Sequence, residues 1–183
     1  NYHNIWAGIW NGGVNFLDPH GNLFDGYSST ECKSVLSCCT DCKGRLYAGT
    51  DGGGICIFEN RKPTRIFDSE HDDLPSNFVQ AAFADANGTL WFGMYKSGIV
   101  YYDHKTQKFH KILPREYEHA DVRGIAQKDN EHILVATDNG IMTINIVDKK
   151  MTSCQQLPHG DIRCLLRDSD GDIWAGTFGG GHS

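Results

Sequence analysis

Asp168-Ser-Asp-Gly-Asp-Ile-Trp-Ala-Gly-Thr177 is the stretch that decides the fold, because its second half recurs along the whole chain. The other copies read Asn4-Ile-Trp-Ala-Gly-Ile9, Arg45-Leu-Tyr-Ala-Gly-Thr50, Thr89-Leu-Trp-Phe-Gly-Met94 and His132-Ile-Leu-Val-Ala-Thr137. The anchor positions of the five copies, spaced 40 to 44 residues apart, are Trp6, Tyr47, Trp91, Leu134 and Trp174. A period of that size is typical of a repeat architecture.

The residues before each anchor predict a β-hairpin. An apolar first strand leads into a turn with Asp at its first position and Gly at its fourth, as in Asp41-Cys-Lys-Gly44, Asp85-Ala-Asn-Gly88 and Asp168-Ser-Asp-Gly171. Asp can accept hydrogen bonds from the backbone ahead of it, and Gly accepts the positive φ that such a turn requires. The first strands are Val35-Leu-Ser-Cys-Cys39, Val79-Gln-Ala-Ala-Phe83, Val122-Arg-Gly-Ile-Ala126 and Ile162-Arg-Cys-Leu-Leu166.

The anchor phrase is the second strand, and an alternating third strand and a short fourth strand complete the repeat. Four short strands without a 3.6-residue period predict the blade of a β-propeller. We therefore expect an all-β fold, a partial β-propeller of four-stranded antiparallel blades, with about four blade repeats and incomplete terminal blades. Residues 1–183 would belong to one propeller domain, with each anchor aromatic packed between neighbouring blades. A β-sandwich with chance repetition is the alternative.

Composition limits the classes of partner. The chain of 183 residues is 39% hydrophobic and 22% charged, which is ordinary for a globular protein. A net charge of −6 without a run of Lys or Arg argues against nucleic acid as a partner. No apolar stretch approaches the roughly 20 residues that a membrane-spanning helix needs. The chain begins with Asn1 and shows no signal-peptide pattern, so we expect an excised piece of a larger protein.

The phrase Asp-x-x-Gly-x-Leu/Ile-Trp-x-Gly-Thr, followed by a strand that begins with Gly, resembles the two-component regulator propeller repeat. Residues 168–177 and 85–93 match it best, and the copy at Lys128-Asp-Asn-Glu131 departs from it. The resemblance implies a non-catalytic periplasmic sensor module of a hybrid two-component system from Bacteroides-type bacteria. It implies a parent histidine kinase that responds to glycans or their breakdown products.

Seven cysteines are present, three of them close together at Cys38, Cys39 and Cys42. A structural zinc site needs four ligands, and no second pair follows at a suitable spacing. We therefore interpret Cys38, Cys39, Cys56 and Cys164 as small core residues. Cys32 and Cys154, which we place in connections between blades, are the candidates for bridging or reactivity. An odd count leaves at least one thiol unpaired, which fits an oxidising compartment less well.

Catalytic and metal-binding motifs are weak. The turn Asp168-Ser-Asp-Gly-Asp172 has alternating carboxylates, as calcium loops do, but no distal Glu follows it. A solvated hairpin turn is the preferred interpretation, and we expect no metal and no cofactor. A propeller lyase is the rival function, with His182 and Tyr95 as its candidate catalytic residues. A protein-binding scaffold is a third possibility.

Binding is the favoured function. In a propeller, the loops between second and third strands share one face with the starts of the first strands, and ligands bind there by fold-level analogy. Flat aromatic side chains suit sugar rings, and arginines could bind carboxylate or sulfate groups of an acidic glycan. The candidate ligand-binding residues are Trp10, Tyr95, Lys96, Gln80, Arg123, Arg163 and Phe178. Alternatively, the arginines pair with Asp121 and Asp161. The expected partners are an oligosaccharide or another small molecule and the remaining blades of the parent protein, with a second copy of the chain as a further candidate.

Overall fold

The computed structural model describes residues 5–17, 24–27, 32–156, 161–179 and 181–182. These residues form five antiparallel sheets, and the helical content of the described part is a single 3₁₀ turn at Arg115–Tyr117. Three sheets have four strands, and the first and last sheets have three described strands each. The predicted all-β architecture of four-stranded antiparallel blades is confirmed.

Each sheet is a meander in which strands that follow one another in sequence are paired. The first sheet contains β1 (Ile5–Ile9), β2 (Gly13–Leu17) and β3 (Phe24–Tyr27); the second contains β4 (Val35–Thr40), β5 (Leu46–Thr50), β6 (Ile55–Glu59) and β7 (Lys62–Phe67). The third contains β8 (Val79–Ala84), β9 (Leu90–Met94), β10 (Gly98–Asp103) and β11 (Lys108–Lys111). The fourth contains β12 (Val122–Gln127), β13 (His132–Thr137), β14 (Gly140–Asn145) and β15 (Lys150–Gln155); the fifth contains β16 (Ile162–Arg167), β17 (Ile173–Thr177) and β18 (Gly181–His182).

The strands belong to two compact units, Asn1–Val79 and Gln80–Ser183. The first unit holds the first two sheets, and the second holds the last three from residue 80 onward. Nothing in this division tests the expectation of one propeller domain over residues 1–183, which stays a prediction.

The recurring turn Asp and the anchor aromatic, six residues apart, are joined by a hydrogen bond. Asp85 accepts from the N–H groups of Asn87 and Thr89 through Oδ1, each at 2.9 Å, and from Trp91 Nε1 through Oδ2 at 2.8 Å. Asp168 repeats this arrangement with Trp174 Nε1 at 2.7 Å. One carboxylate therefore closes the turn and orients the indole, which explains the fixed spacing of the two residues.

The fourth repeat keeps the hairpin register although its sequence departs from the pattern. The Lys128 N–H donates to the carbonyl of His132 at 2.9 Å, as the Asp85 N–H does to the carbonyl of Thr89 at 3.0 Å. The side-chain contacts move one residue along, because Asp129 Oδ1 accepts from the Glu131 N–H at 2.8 Å. The turn survives the loss of its Asp and Gly because an adjacent carboxylate replaces the missing acceptor.

Trp91 lies at the junction of two sheets in the second unit. Its side chain is completely buried in a cluster that includes Val122, Ile133 and Ile144 of the following sheet. The ammonium of Lys149 lies 4.8 Å from the ring centroid and 3.1 Å from Thr89 Oγ1. Burial lowers the pKa of Lys149, against an opposing effect of the Asp85 carboxylate. The predicted packing of an anchor tryptophan between neighbouring blades is thus observed within this unit.

A glycine in the second strand allows the next repeat to approach closely. A Cβ atom at Gly49 would lie 2.7 Å from Val79 Cγ1 and 2.8 Å from the Val79 carbonyl oxygen, which is too close for any side chain. The same contact recurs between Gly93 and Val122. The Gly of the anchor phrase therefore has a packing role, and at both positions its partner is the Val that begins the first strand of the next repeat.

The cysteine interpretation needs correction. Cys56 is buried as predicted, but it forms a disulfide with Cys32, with their Cα atoms 6.1 Å apart. Cys154 lies in β15 and has a free thiol, so it is neither in a connection nor bridged. Cys38 and Cys164 are exposed, because each lies in the first strand at the edge of its sheet. Cys39 is half-buried, and burial raises the pKa of its thiol to about 12.

The hydrogen bond from Trp174 to Asp168 should affect the titration of the Asp168 carboxyl group. The Trp174 indole N–H lowers the pKa of Asp168, and backbone N–H groups including that of Asp172 lower it further, against an opposing effect of desolvation. Because the folded-state pKa is depressed, these bonds stabilise the fold above the unfolded-state pKa, and the contribution is lost as the pH falls through the folded-state pKa. We expect NMR titration of Trp174→Phe to show the Asp168 pKa moving up toward its usual value.

Asp103 provides the internal control for this titration. Its pKa is lowered by the Lys105 N–H and the Thr106 hydroxyl, neither of which depends on Trp174. It should titrate identically in both proteins. An Asp168 midpoint that does not move in Trp174→Phe would contradict the assigned cause.

Candidate functional site

Backbone hydrogen bonds join the hairpin tips of each unit to the starts of the first strands. In the second unit, the Gly98 N–H donates to the Ala120 carbonyl at 3.0 Å and the Phe178 N–H to the Asp161 carbonyl at 2.9 Å. In the first unit, the Gly13 N–H donates to the Lys33 carbonyl at 2.9 Å. We call these surfaces the first tip edge (residues 9–13, 33–36, 50–54 and 77–78) and the second tip edge (94–98, 120–123, 137–140, 161–163 and 177–179).

Aromatic side chains stand exposed at the same place in three hairpin tips. Tyr95 is 42% exposed and Phe178 is 70% exposed on the second tip edge, and Trp10 is 59% exposed on the first. Each is the first residue after the strand that contains the anchor phrase, which is β1 for Trp10, β9 for Tyr95 and β17 for Phe178. The repeat itself gives these side chains no packing role, so each edge presents aromatic surface to solvent.

The first tip edge carries further apolar residues that sequence analysis missed. Ile9, Leu36 and Phe78 are all exposed on this edge, which also carries Trp10. Leu36 occupies the first-strand position that holds Gln80, Arg123 and Arg163 in the later repeats. That alignment was the available signal, because a leucine at a position otherwise occupied by polar residues indicates an apolar surface patch.

The two arginines are paired with carboxylates, as the alternative interpretation proposed. Arg123 donates to Asp121 Oδ2 and, across to the next sheet, to Asp161 Oδ1. Arg163 Nη2 donates to Asp161 Oδ2 at 2.8 Å, and its guanidinium lies 5.0 Å from the centroid of the Phe178 ring. The contacts connect Asp121, Arg123, Asp161 and Arg163 into one row, which we call the Asp–Arg row.

Lys96 and Gln80 contribute differently to the second unit. Lys96 adopts a left-handed backbone conformation with φ of 48° at the hairpin tip, and its ammonium lies 5.2 Å from the Tyr95 ring centroid. Gln80 is half-buried, and its Oε1 atom is buried without a hydrogen-bond partner among the described residues. The second unit thus contains six of the seven candidate residues; Trp10 belongs to the first unit.

The rival catalytic residues are not brought into an obvious catalytic group. The backbone of His182 lies in β18, and its side chain is outside the described part of the structure. Within the described ranges, no three His, Cys, Asp or Glu side chains converge as metal ligands would. The carboxylate of Asp168 accepts hydrogen bonds from its own turn and from Trp174, which fits the hairpin interpretation of that sequence.

A family model described as two component regulator propeller matches residues 73–96 and 156–179. The matched segments contain the Asp–indole turns at Asp85 and Asp168. Two segments of the chain therefore match the two-component regulator propeller repeat. No curated protein sequence matches it significantly.

The chain is similar to parts of longer solved structures. The chain is similar to the extracellular domain of the hybrid two-component system BT3049 from B. thetaiotaomicron, at 28% identity, with a TM-score of 0.72 over 98% of this chain and 31% of that one. It is also similar in fold to the extracellular domain of BT4673 from the same organism, at 18% identity, with a TM-score of 0.77 over 94% of this chain and 23% of that one. The chain therefore spans less than a third of either structure.

More distant structures share the propeller fold alone. Streptogramin B lyase matches at 14% identity with a TM-score of 0.72, over 90% of this chain and 55% of the lyase. The WD40 β-propeller domain of Doa1 also matches with a TM-score of 0.72, at 16% identity. The predicted β-propeller fold of the repeats is confirmed. No helix in the described segments is long and apolar enough to cross a membrane.

Proposed function

We propose that this chain is part of the extracytoplasmic ligand-binding region of a hybrid two-component signalling protein, and that it binds an oligosaccharide without turning it over. The parent protein would be a histidine kinase with further propeller repeats, and this region would lie in the periplasm. The single observation that carries the binding proposal is the repeated exposure of an aromatic ring at the first tip position, by Trp10, Tyr95 and Phe178.

Sugar binding follows from the chemistry of these surfaces. The flat apolar faces of aromatic rings pack against the C–H faces of pyranose rings, and nearby polar groups bond the hydroxyls. Beside Phe178, the second tip edge provides Arg163 as a hydrogen-bond donor and Asp161 as an acceptor. Tyr95 adds its own phenolic hydroxyl, which can donate and accept. Aromatic area with interspersed polar groups suits a carbohydrate better than a purely apolar ligand.

The extracytoplasmic location has support from two independent observations. The BT3049 and BT4673 structures are described as extracellular domains of two-component systems. The disulfide between Cys32 and Cys56 is of a kind that persists in oxidising compartments and is rare in the cytosol. The five cysteines that remain as free thiols fit an oxidising compartment less well, as the odd count does.

Calorimetric titration of the chain with a panel of oligosaccharides tests the proposal. We expect at least one to bind, and we expect Tyr95→Ala or Phe178→Ala to weaken that binding about tenfold, or about 1.4 kcal/mol, through loss of an aromatic contact. Val147→Ala is the matched control, because Val147 is an apolar residue about as exposed as Phe178, 69% accessible, in the turn between β14 and β15.

Three results would contradict the proposal. The first is that no oligosaccharide binds to the folded chain, and the second is that both aromatic variants bind as tightly as Val147→Ala. Chromatographic detection of sugar cleavage would be the third, and it would favour the lyase function instead.

A further inference from the structure

We propose that the second tip edge selects uncharged oligosaccharides over those that carry carboxylate or sulfate groups, because its arginines are already neutralised within the protein. This inference rests on the proposed function and specifies its ligand class. It reverses the expectation of an acidic glycan that the arginines alone suggest. Asp121 and Asp161 determine the specificity, through their hold on Arg123 and Arg163.

The Asp–Arg row arises from a sequence triplet that occurs in consecutive repeats. Asp121-Val122-Arg123 and Asp161-Ile162-Arg163 occupy equivalent positions at the starts of β12 and β16. In each triplet the buried Val or Ile points inward, and the Asp and Arg on either side of it face the tip edge. Arg123 reaches across to Asp161, so the two triplets form one hydrogen-bonded row with no net formal charge.

An anionic ligand would have to break this row. Arg123 is only 18% exposed, and Asp121 beside it is 3% exposed. Drawing Arg123 toward a ligand carboxylate would leave Asp121 buried without its counter-ion, and an uncompensated buried charge is strongly unfavourable. Asp121 Oδ1 is already buried without a hydrogen-bond partner among the residues that the structure describes. Loss of the ion pair with Arg123 would therefore be costly for the Asp121 carboxylate.

Other charges on the second tip edge do not favour an anion. Asp138 accepts from the Asp121 N–H at 3.1 Å, which places a further carboxylate beside the row. Lys96 supplies a positive charge, but it lies at the tip of the hairpin between β9 and β10, where its ammonium is near the Tyr95 ring. The second tip edge therefore has three positive side chains and three negative ones, and their formal charges cancel: Lys96, Arg123 and Arg163 against Asp121, Asp138 and Asp161.

The same row is well suited to sugar hydroxyls. Arginine has five N–H donors, and the bond to Asp161 uses one of those on Arg163. Because Arg163 is half-exposed beside the Phe178 ring, it can donate to hydroxyls of a sugar stacked on that ring while it keeps Asp161 as its partner. A neutral ligand thus gains hydrogen bonds without disturbing the ion pairs.

Matched pairs of oligosaccharides test the selectivity directly. The two members of each pair have the same ring configuration, linkage and length. They differ only at C6, which is a hydroxymethyl group in one member and a carboxylate in the other. The pairs are built from glucose and glucuronate, galactose and galacturonate, and mannose and mannuronate. We expect the neutral member of a binding pair to bind at least about tenfold more tightly in calorimetry at low salt, where electrostatic effects are largest.

Asp161→Asn removes the carboxylate partner of Arg163 and one of the two partners of Arg123, while leaving a side chain of the same shape. We expect this variant to shift the preference toward the carboxylate member by about tenfold or more. Asp148→Asn is the control, because it makes the same change of net charge at an exposed residue in the turn between β14 and β15. It should leave the preference unchanged.

The outcomes separate the two proposals. Tighter binding of the carboxylate members by the unaltered chain would overturn this inference while leaving sugar binding intact. An identical shift in Asp161→Asn and Asp148→Asn would also overturn it, since net charge would then explain the preference. Binding of no member of any pair would overturn the proposed function, and this inference with it.

Discussion

Trp91→Ala lowers the free energy of unfolding by about 3–5 kcal/mol, the cost of removing a large aromatic side chain from a packed core. Trp91 is completely buried in a cluster with Val122 and Ile133, so its truncation leaves a cavity among packed side chains. The variant also removes the indole donor to Asp85 and the ring beneath Lys149. Urea denaturation monitored by circular dichroism measures the change.

Trp174→Ala is the matched comparison within the same chain. Trp174 makes the same hydrogen bond to its turn Asp as Trp91 does, but it is 47% exposed. We expect a loss of about 1 kcal/mol, which covers the hydrogen bond and the partial burial. Because the local motif is the same, the difference between the two variants reports packing against a following sheet. Equal losses would show that the motif, and not that packing, determines the effect.

Trp91→Phe separates packing from hydrogen bonding. Phenylalanine keeps most of the aromatic volume but cannot donate to Asp85, whose Oδ2 atom then loses its bond of 2.8 Å. We expect a loss of about 1–3 kcal/mol, the cost of leaving a buried acceptor without a donor. A loss as large as that of Trp91→Ala would assign the whole effect to the hydrogen bond and would contradict the packing account.

The strands could be predicted because their signals are local. The first strands were predicted to begin at Val35, Val79, Val122 and Ile162, and each begins there. Alternating polarity and the chemistry of the Asp–Gly turn determine where a strand starts and ends, and both are readable within a dozen residues. The hairpin at Lys128 kept its register for the same local reason, through Asp129.

Contacts between repeats could not be predicted in the same way. The bond from Arg123 to Asp161 joins side chains that are 38 residues apart, and the contact of Lys149 with Thr89 spans 60 residues. Such pairs depend on how one sheet packs on the next, which the pattern within a repeat does not encode. The exposure of Trp10, Tyr95 and Phe178 could be predicted, because these rings have no place in the repeat pattern.

The pairing of the disulfide could not be predicted from the sequence either. Seven cysteines allow many pairings, and Cys32 was recognised as a candidate while its partner was not. Cys56 occupies an apolar strand position, so its pattern reads as an ordinary core residue. Only the packing of the segment at Cys32 against β6 brings the two sulfur atoms together.

Reduction of this disulfide is expected to destabilise the chain by about 3.5 kcal/mol. The bonded residues are 24 apart, and closing a loop of that length restricts the unfolded chain by about this amount. The double variant Cys32→Ala with Cys56→Ala should show the same loss in urea denaturation under oxidising conditions. Adding a reductant should then have no further effect on the double variant, but it should lower the stability of the unaltered chain to the same level.

Cys38→Ala is the control for this experiment, because Cys38 is an exposed free thiol in β4. Its stability should match that of the unaltered chain, and it should respond to the reductant to the same extent. Alkylation followed by mass spectrometry of the unreduced, denatured chain should label the five free cysteines and leave Cys32 and Cys56 unlabelled. Labelling of all seven after expression in an oxidising compartment would contradict the pairing, and it would remove one of the two supports for an extracytoplasmic location.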